Sequence, residues 1–262
     1  MSIADQLNTM MGNAPDFLPG REMARTGLTL AKVTNIKDEQ NLNRVKCLPI
    51  GGLDQEETDW CYVMAPMGGS ECGAFFFPQV NDLVVLAYLD GDPHRPLVLG
   101  GYWNTEVKPP LTVQDGKAEE YMLKTPKKIE MKLTDTDKKQ KVTLTMPSGT
   151  ALTVDDENSK VTVQDKGGDN SLTMDMKGGE VTLKAKTKVT IQAGQTTLTL
   201  ESGGNITLKG NGTVSLQGTD VQAKANSKLS MQGTTAEVKA NATLDLNASG
   251  PATIKGAIVK IN

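Results

Sequence analysis

The chain has 262 residues, with 28 Lys and Arg side chains against 31 Asp and Glu, and its formal net charge is −3 at pH 7. A slightly acidic chain lacks the surplus of cations that nucleic-acid binding requires, and its length allows one large or two modest domains. The three cysteines, Cys47, Cys61 and Cys72, are odd in number and unpatterned, which favours free thiols in a reducing cytoplasm.

The first residues predict neither export nor membrane insertion. No basic run followed by an apolar core opens the chain, and no window approaches the ~18 apolar residues of a membrane span. Residues 2–12 predict a short amphipathic helix with Ile3, Leu7, Met10 and Met11 roughly on one face. This helix could pack on its own domain or dock on another protein, and the sequence leaves both possibilities open.

Five short strands follow the predicted helix. They are residues 27–36, 43–50, 59–66, 82–89 and 96–103. Five strands in so short a stretch predict a small barrel of the oligonucleotide/oligosaccharide-binding (OB) type. Its aromatic residues Trp60, Tyr62 and Phe75 to Phe77 are not interleaved with Lys or Arg, so we interpret them as core or interface residues.

A change in composition predicts the domain boundary. All ten aromatic residues lie at or before Tyr121, and nine of the twelve prolines lie before residue 122, so the second part must build its core from aliphatic residues. We predict an N-terminal helix or docking arm over residues 1–20, the barrel over 21–104, a linker over 105–121 and a second domain over 122–262.

The second domain is a repeat of short apolar-x-apolar units in steps of seven to nine residues. The units begin at Leu172, Val181, Val189, Leu198, Ile206, Val214, Val221, Leu229, Ala236, Leu244, Ala252 and Val259, with looser units at Val142, Leu152 and Val161. Alternation within each unit predicts a strand with one buried face, and the even step predicts a solenoid. Two inward side chains per unit allow only a thin core, which explains the missing aromatic rings.

Two solenoids fit this period. One is a three-sided coil of a single chain with ~24 residues per turn; in the other, three chains wind around one axis. Neighbouring units resemble each other as much as units three apart, and this favours three chains. Each strand would then pair with strands of other chains, because the backbone must find its hydrogen-bond partners there.

The segment GAFFFPQVNDLVVLAYLDGDPHRPLVLGGYWN, residues 73–104, carries a specific pattern of turn residues and apolar strands. It resembles the barrel of the central spike proteins of contractile injection systems, namely the phage baseplate assembly protein V group and the type VI secretion valine-glycine repeat proteins. The positions that match the family pattern are Pro78, Asp82, Gly91, Asp92, Pro96, Gly100, Trp103 and Asn104.

The resemblance implies an all-β homotrimer: OB barrels at the base and a triple-stranded β-helical needle over residues 122–262. Such a protein is a structural, membrane-puncturing spike of a contractile phage tail or a phage-tail-like particle, such as a tailocin or an extracellular injection system. Sheath contraction drives the spike through the target envelope. We therefore expect assembly in the bacterial cytoplasm without a signal peptide, and a final location in the baseplate of a virion or particle.

The resemblance also implies two partners. No long hub portion precedes the barrel, which implies a separate hub protein, and the predicted helix supplies the candidate docking residues. The end of the chain looks like an apolar platform for a separate tip protein built on proline-alanine-alanine-arginine (PAAR) repeats. The candidate platform residues are Ala257, Ile258, Val259, Lys260, Ile261 and Asn262.

The sequence predicts no catalysis, no cofactor and no bound metal. The only histidine, His94, has no matching nucleophile and acid, and it lies in the barrel rather than at the tip. The acidic run 155–157 lies between two strand units, and short gaps leave no loops to build a carbohydrate-cleaving cleft. The alternative functions are a secreted β-solenoid adhesin or receptor-binding fibre and, third, a polysaccharide lyase or hydrolase.

Overall fold

A computed structural model describes residues 27–51 and 56–261 of the chain. In these residues the regular structure is almost entirely β, and the helical element is one 3-10 turn, Leu89–Gly91. The chain divides into two units with the boundary between Lys186 and Thr187. The predicted N-terminal helix, with its docking candidates Ile3, Leu7, Met10 and Met11, lies outside the described residues.

Five strands of the first unit form a barrel, and a small hairpin interrupts them. The strands are β1 (Thr29–Asn35), β2 (Lys46–Pro49), β3 (Tyr62–Val63), the hairpin β4 (Gly68–Gly69) and β5 (Cys72–Gly73), β6 (Leu83–Tyr88) and β7 (Pro96–Gly101). The sheet order is β2-β1-β6-β7-β3, with β3 parallel to β7. An antiparallel bridge between Val45 and Cys61 joins β3 to β2 and closes the sheet on itself.

The barrel core consists of small and aliphatic side chains and one aromatic ring, that of Tyr88, and they alternate along the strands. Its buried members are Ala31, Val33, Val45, Cys47, Cys61, Val84, Leu86, Tyr88 and Val98. Each fully buried Val or Leu contributes about 1.5–3 kcal/mol relative to exposure. All five predicted barrel strands are present, which confirms the sequence-based prediction of a five-stranded barrel.

Most of the aromatic residues interpreted as core or interface residues lie outside the barrel interior. Tyr62, Phe75 and Phe76 are exposed, and of the three phenylalanines Phe77 alone packs partly against the core. Of the two interpretations, core or interface, the core one does not hold for Tyr62, Phe75 and Phe76, because the narrow interior is already filled by residues of the alternating strands. The interface interpretation of these three residues stays a prediction.

A seven-stranded antiparallel meander follows in the first unit. Its strands are β8 (Glu120–Lys124), β9 (Glu130–Thr134), β10 (Lys141–Thr145), β11 (Ala151–Asp155), β12 (Lys160–Gln164), β13 (Ser171–Asp175) and β14 (Glu180–Lys184). Each strand pairs with its neighbours in sequence. The expectation that every repeat strand pairs with other chains is wrong for these strands. Turns of four to six residues, each with a residue at positive φ such as Gly149 or Ser159, let the chain reverse and pair with itself.

The second unit begins with a three-stranded antiparallel sheet. Its strands are β15 (Lys188–Ala193), β16 (Thr196–Glu201) and β17 (Ile206–Lys209). Among the described residues 210–261 no strand forms, and every residue from 211 to 261 is exposed. Within the described part of the chain, no helix has both the length and the apolar character needed to cross a membrane.

Candidate functional site

Two columns of apolar side chains run across one face of the β8–β14 meander. Cross-strand partners form the first column from Leu123, Met131, Leu144, Leu152, Val163, Leu172 and Leu183. The second column contains Tyr121, Leu133, Val142, Val154, Val161, Met174 and Val181. Many of these side chains are exposed, from 39% at Leu152 to 69% at Val181. A contiguous exposed apolar face of this kind marks an interaction surface.

The opposite face of the meander is polar and pairs its own charges. A column of threonines crosses its centre: Thr143, Thr153, Thr162, Thr173 and Thr182. Cross-strand ion pairs flank this column, including Lys141 to Asp155 at 2.7 Å and Lys160 to Asp175 at 3.1 Å. The hydrogen bond from Lys141, together with those from Asn158, lowers the pKa of Asp155 to about 2. This polar face is therefore suited to contact with water, whereas the apolar face would be stabilised by packing against another surface.

The same apolar pattern occurs in the second unit. Val189, Leu200 and Ile206 are successive cross-strand partners, as are Ile191, Leu198 and Leu208. Beyond this sheet, the apolar residues of the repeat are exposed, for example Leu216 at 75% and Leu246 at 83%. Within residues 211–261, no backbone–backbone hydrogen bond forms inside the chain. This extended segment has apolar side chains and backbone amides without partners inside the chain. Such a segment needs strand partners from outside the chain to satisfy its backbone.

The predicted tip platform lies at the end of this extended segment. Ile258, Val259 and Ile261 are exposed, at 78%, 50% and 88%, and Ala257 and Lys260 are exposed beside them. Asn262 lies outside the described residues, as do the predicted hub-docking residues. The platform and the docking residues both remain predictions.

The polar residues of the barrel motif hold turns together. The carboxylate of Asp82 accepts the Gln79 N–H at 2.8 Å, and the carboxylate of Asp92 accepts the His94 N–H at 2.9 Å. The side-chain carbonyl of Asn104 accepts N–H groups from the two residues at 106 and 107, at 2.9 and 2.7 Å. In this geometry the three side chains bind backbone rather than face an open cleft.

The remaining motif residues shape the strands around these turns. Gly91 has φ 74°, and Pro96 is buried at the start of β7. Gly100 pairs with Val85, next to the irregularity in the β6–β7 ladder. Pro78 is half-buried before its turn, and Trp103 is 63% exposed.

A cluster of cations and aromatic rings on the barrel surface was missed by the sequence analysis. The Arg44 guanidinium lies 5.7 Å from the ring centroid of Trp60 and 5.8 Å from that of Tyr62, and Lys46 Nζ lies 5.6 Å from Trp60. Arg44 also donates two 2.9 Å hydrogen bonds to the carboxylate of Asp38 and thereby lowers its pKa. The bridge that closes the barrel places these residues side by side, so cross-strand alternation was the signal that could have found them.

The residues considered for catalysis have ordinary structural partners. His94 Nδ1 lies 2.6 Å from Asp59 Oδ2, and both side chains are more than half exposed. Asp155, from the acidic run 155–157, is engaged by Lys141 and Asn158. Within residues 27–51 and 56–261, no group of three or more His, Cys, Asp or Glu side chains is arranged to hold a metal ion.

The strand order and the closing bridge define the class of the first domain. A closed five-stranded barrel in which the third barrel strand runs parallel to the last is an OB domain. In this chain the OB domain is followed by β-sheet with one apolar face.

Comparison with known proteins places the barrel in a family. Residues 29–103 match the family model of the type VI secretion system/phage-baseplate injector OB domain. The barrel is therefore similar to the OB domain of type VI secretion system and phage-baseplate injectors. The resemblance seen in residues 73–104 is confirmed.

Individual relatives match the same part of the chain. The type VI secretion system spike protein VgrG5 of Pseudomonas aeruginosa strain PAO1 is 31% identical over 68 residues, which is 26% of this chain and 9% of the relative. The spike proteins VgrG2a and VgrG2b of the same strain are each 31% identical over 67 residues, which is 26% of this chain and 8% and 7% of theirs. The matched region thus spans less than a tenth of these relatives.

Proposed function

We propose that this protein is the central spike of a contractile injection particle. Three copies would form a rigid needle that sheath contraction drives through a target envelope, with a separate hub at the barrel end. The role is mechanical and involves no catalysis by the chain. The injector OB domain supports the assignment to the baseplate, and the uncovered two-column apolar face of the meander carries the proposal of self-assembly.

The meander supplies one wall of the needle. Two side chains per strand give an apolar strip too narrow to fold over on itself, so the chain cannot bury it alone. Three copies facing one axis bury all three strips in a thin aliphatic core, and their threonine faces point to water. The family resemblance favours three copies over a two-sheet sandwich.

The extended segment supplies the distal part of the needle. Residues 211–261 have apolar side chains in steps of seven or eight residues and make no backbone hydrogen bonds within the chain. Winding around two other copies would pair these backbones between chains as a triple-stranded β-helix. Continuous ladders and short corners make such a rod stiff, which is the property that puncture requires.

The location and the two end partners follow from the same proposal. The spike would be assembled in the bacterial cytoplasm and carried in the baseplate of a virion or a phage-tail-like particle. Residues 1–20 would contact the hub, and the exposed end at Ile258 to Ile261 would carry a PAAR-repeat tip protein. Contact with the envelope would be transient, and nucleic acid is not a partner.

Light scattering of the purified chain tests the proposal. Three chains of 28.0 kDa sum to about 84 kDa, and this mass should persist through mild heating. A folded particle of 28.0 kDa would overturn the trimeric needle and would favour a single-chain solenoid such as an adhesin. A folded dimer would retain self-assembly but contradict the three-walled needle.

A further inference from the structure

The cation–aromatic cluster lies on the outer side of the seam that closes the barrel. Val45 and Cys61 form the closing bridge and are fully buried, so the residues next to them in sequence point out of the barrel. In an antiparallel pair, the residue before one partner lies beside the residue after the other. The outward neighbours therefore form one cross-strand patch: Arg44 beside Tyr62, and Lys46 beside Trp60.

The Tyr62 ring is the open surface of this cluster. Tyr62 is 55% exposed, although its ring centroid lies 5.8 Å from the Arg44 guanidinium. Polar groups stand around the ring. The exposed Gln40 side chain accepts a hydrogen bond from Arg44 at 2.9 Å, and the Glu57 carboxylate lies 3.8 Å from Lys46 Nζ. A flat apolar ring bordered by hydrogen-bonding groups fits a ligand with the same two features.

The charges of the cluster are balanced. Arg44 donates two hydrogen bonds of 2.9 Å to the Asp38 carboxylate, and Lys46 lies within ion-pair distance of Glu57. Each of these two cations thus faces a carboxylate, and the four side chains sum to a formal charge of zero. A nucleic-acid strand needs an excess of cations along its phosphates. The balanced cluster therefore favours an uncharged ligand.

Two loops border the cluster on the barrel surface. The β1–β2 loop supplies Gln40 and Arg44. The β6–β7 loop reaches the other end, where His94 Nδ1 lies 2.6 Å from the carboxylate of Asp59, the residue before Trp60. β2 and β3 are the second and third strands of the barrel, and β6 and β7 are the fourth and fifth. In OB domains, the face of the second and third strands and these two loops bind oligonucleotides or oligosaccharides.

We propose that the cation–aromatic cluster binds a neutral oligosaccharide. The C–H face of one sugar ring would stack on the Tyr62 ring, and hydroxyl groups at its edge would bond to Gln40 and Glu57. A sugar ring combines an apolar face with a polar rim, and it adds no charge to a cluster that is already balanced. In the spike proposed above, glycans of the target envelope would supply such a ligand; the binding itself depends on the barrel alone.

Saturation-transfer NMR of the full chain tests the site with three neutral probes, the hexamers of glucose, mannose and N-acetylglucosamine. We expect saturable binding of at least one hexamer, with a Kd on the order of 1 mM for a shallow surface site. This Kd should change less than about twofold between ~50 and ~500 mM salt, because no phosphate is bound. Absence of saturable binding by all three hexamers would overturn the proposal. Tighter and salt-dependent binding of hexathymidylate would overturn it too, since it would assign the surface to a nucleic acid.

Substitutions at Tyr62 test whether the sugar binds at this cluster. Tyr62→Ala removes the ring and should weaken binding about tenfold, whereas Tyr62→Phe keeps the ring and should bind within about twofold of the unmodified chain. Phe76→Ala is the matched control, because Phe76 is also an exposed ring, at 63%, but is not part of the cluster. Melting temperatures show that each variant is folded. Full binding by Tyr62→Ala, or an equal loss in Phe76→Ala, would overturn the assignment.

Glu57→Ala gives a second test that leaves both rings in place. It removes a hydrogen-bond acceptor from the edge of the cluster, so binding of the neutral hexamer should weaken. It also frees Lys46 from its carboxylate and would strengthen the binding of an anionic strand. Tighter hexathymidylate binding with unchanged hexamer binding would therefore contradict a neutral sugar as the ligand.

Discussion

Leu144 and Leu152 are direct cross-strand partners in the meander, and Leu152 nevertheless remains 39% exposed. Thr153, its neighbour on the other face, is half-buried. A sheet in contact with water on one side normally buries its aliphatic face and exposes its polar one. In the single chain the aliphatic face of this sheet is therefore more exposed than its polar face. This is expected for a sheet whose aliphatic face packs against other copies.

Replacing Leu152 by Lys should prevent assembly. The substitution would place an unpaired charge in the thin core between chains, which costs several kcal/mol unless the chains separate. We expect the mass in light scattering to fall from about 84 kDa towards the 28.0 kDa of one chain. Thr153→Lys is the matched control, because it places the same side chain on the polar face of the same strand, where the cost should stay within about 1 kcal/mol. Equal masses for both variants would contradict an interface on the apolar face.

Hydrogen exchange should distinguish strands that pair within one chain from strands that pair between chains. In the assembled protein, amides of the meander and of residues 211–261 should both be protected. In the Leu152→Lys chain, the barrel strands make their hydrogen bonds within the chain and should stay protected, whereas residues 211–261 should exchange almost at once. Mass spectrometry of peptides from the barrel strands and from residues 211–261 gives the comparison. Protection of 211–261 in separated chains would mean that this segment finds its partners within one chain.

The meander should lose stability in acid through Asp155. Its pKa of about 2, set first by Lys141 and then by Asn158, lies below the ordinary value of about 3.9. The charged carboxylate therefore stabilises the fold above pH ~4, and this contribution is lost as the pH falls from about 4 to about 2. Asp155→Asn should melt a few degrees lower than the unmodified chain at pH 6, and the difference should vanish near pH 2. Asp156→Asn removes an equal charge but keeps the Lys141 and Asn158 contacts, so it should not reproduce this pH dependence.

Gly73 should be sensitive to the smallest substitution. Its φ is 149°, and a Cβ on this residue would lie 2.5 Å from the carbonyl oxygen of Met67. Gly73→Ala should destabilise the β4–β5 hairpin by about 1–3 kcal/mol, which denaturant titration would detect. Gly100→Ala is the control, because a Cβ there meets nothing within 4 Å. A larger loss at Gly100 would show that this motif position is restricted by contacts outside the single chain.

Sequence alone predicted the five barrel strands, because alternation such as that of Val84, Leu86 and Tyr88 depends only on the two-residue period of a strand. It also predicted the strands of the repeat as far as Lys209, whereas the units predicted from Val214 to Val259 form no strand in the described chain. The cation–aromatic cluster of Arg44 and Trp60 was missed because it depends on which strands are neighbours.

What the sequence determined was local: which segments are extended, which of their faces is apolar, and that no aromatic core follows Tyr121. The tertiary structure decided how the extended segments pair. From β8 to β14 a strand of five residues plus a turn of four to six leaves room for a hairpin, so the chain pairs with itself. The eight-residue step from β15 to β16 still forms a hairpin with a two-residue turn, so step length alone does not decide the pairing. Beyond residue 210 no strand forms in the described chain. The backbone there has no partner within the chain, and the pairing of residues 211–261 passes to neighbouring copies in the assembly we propose.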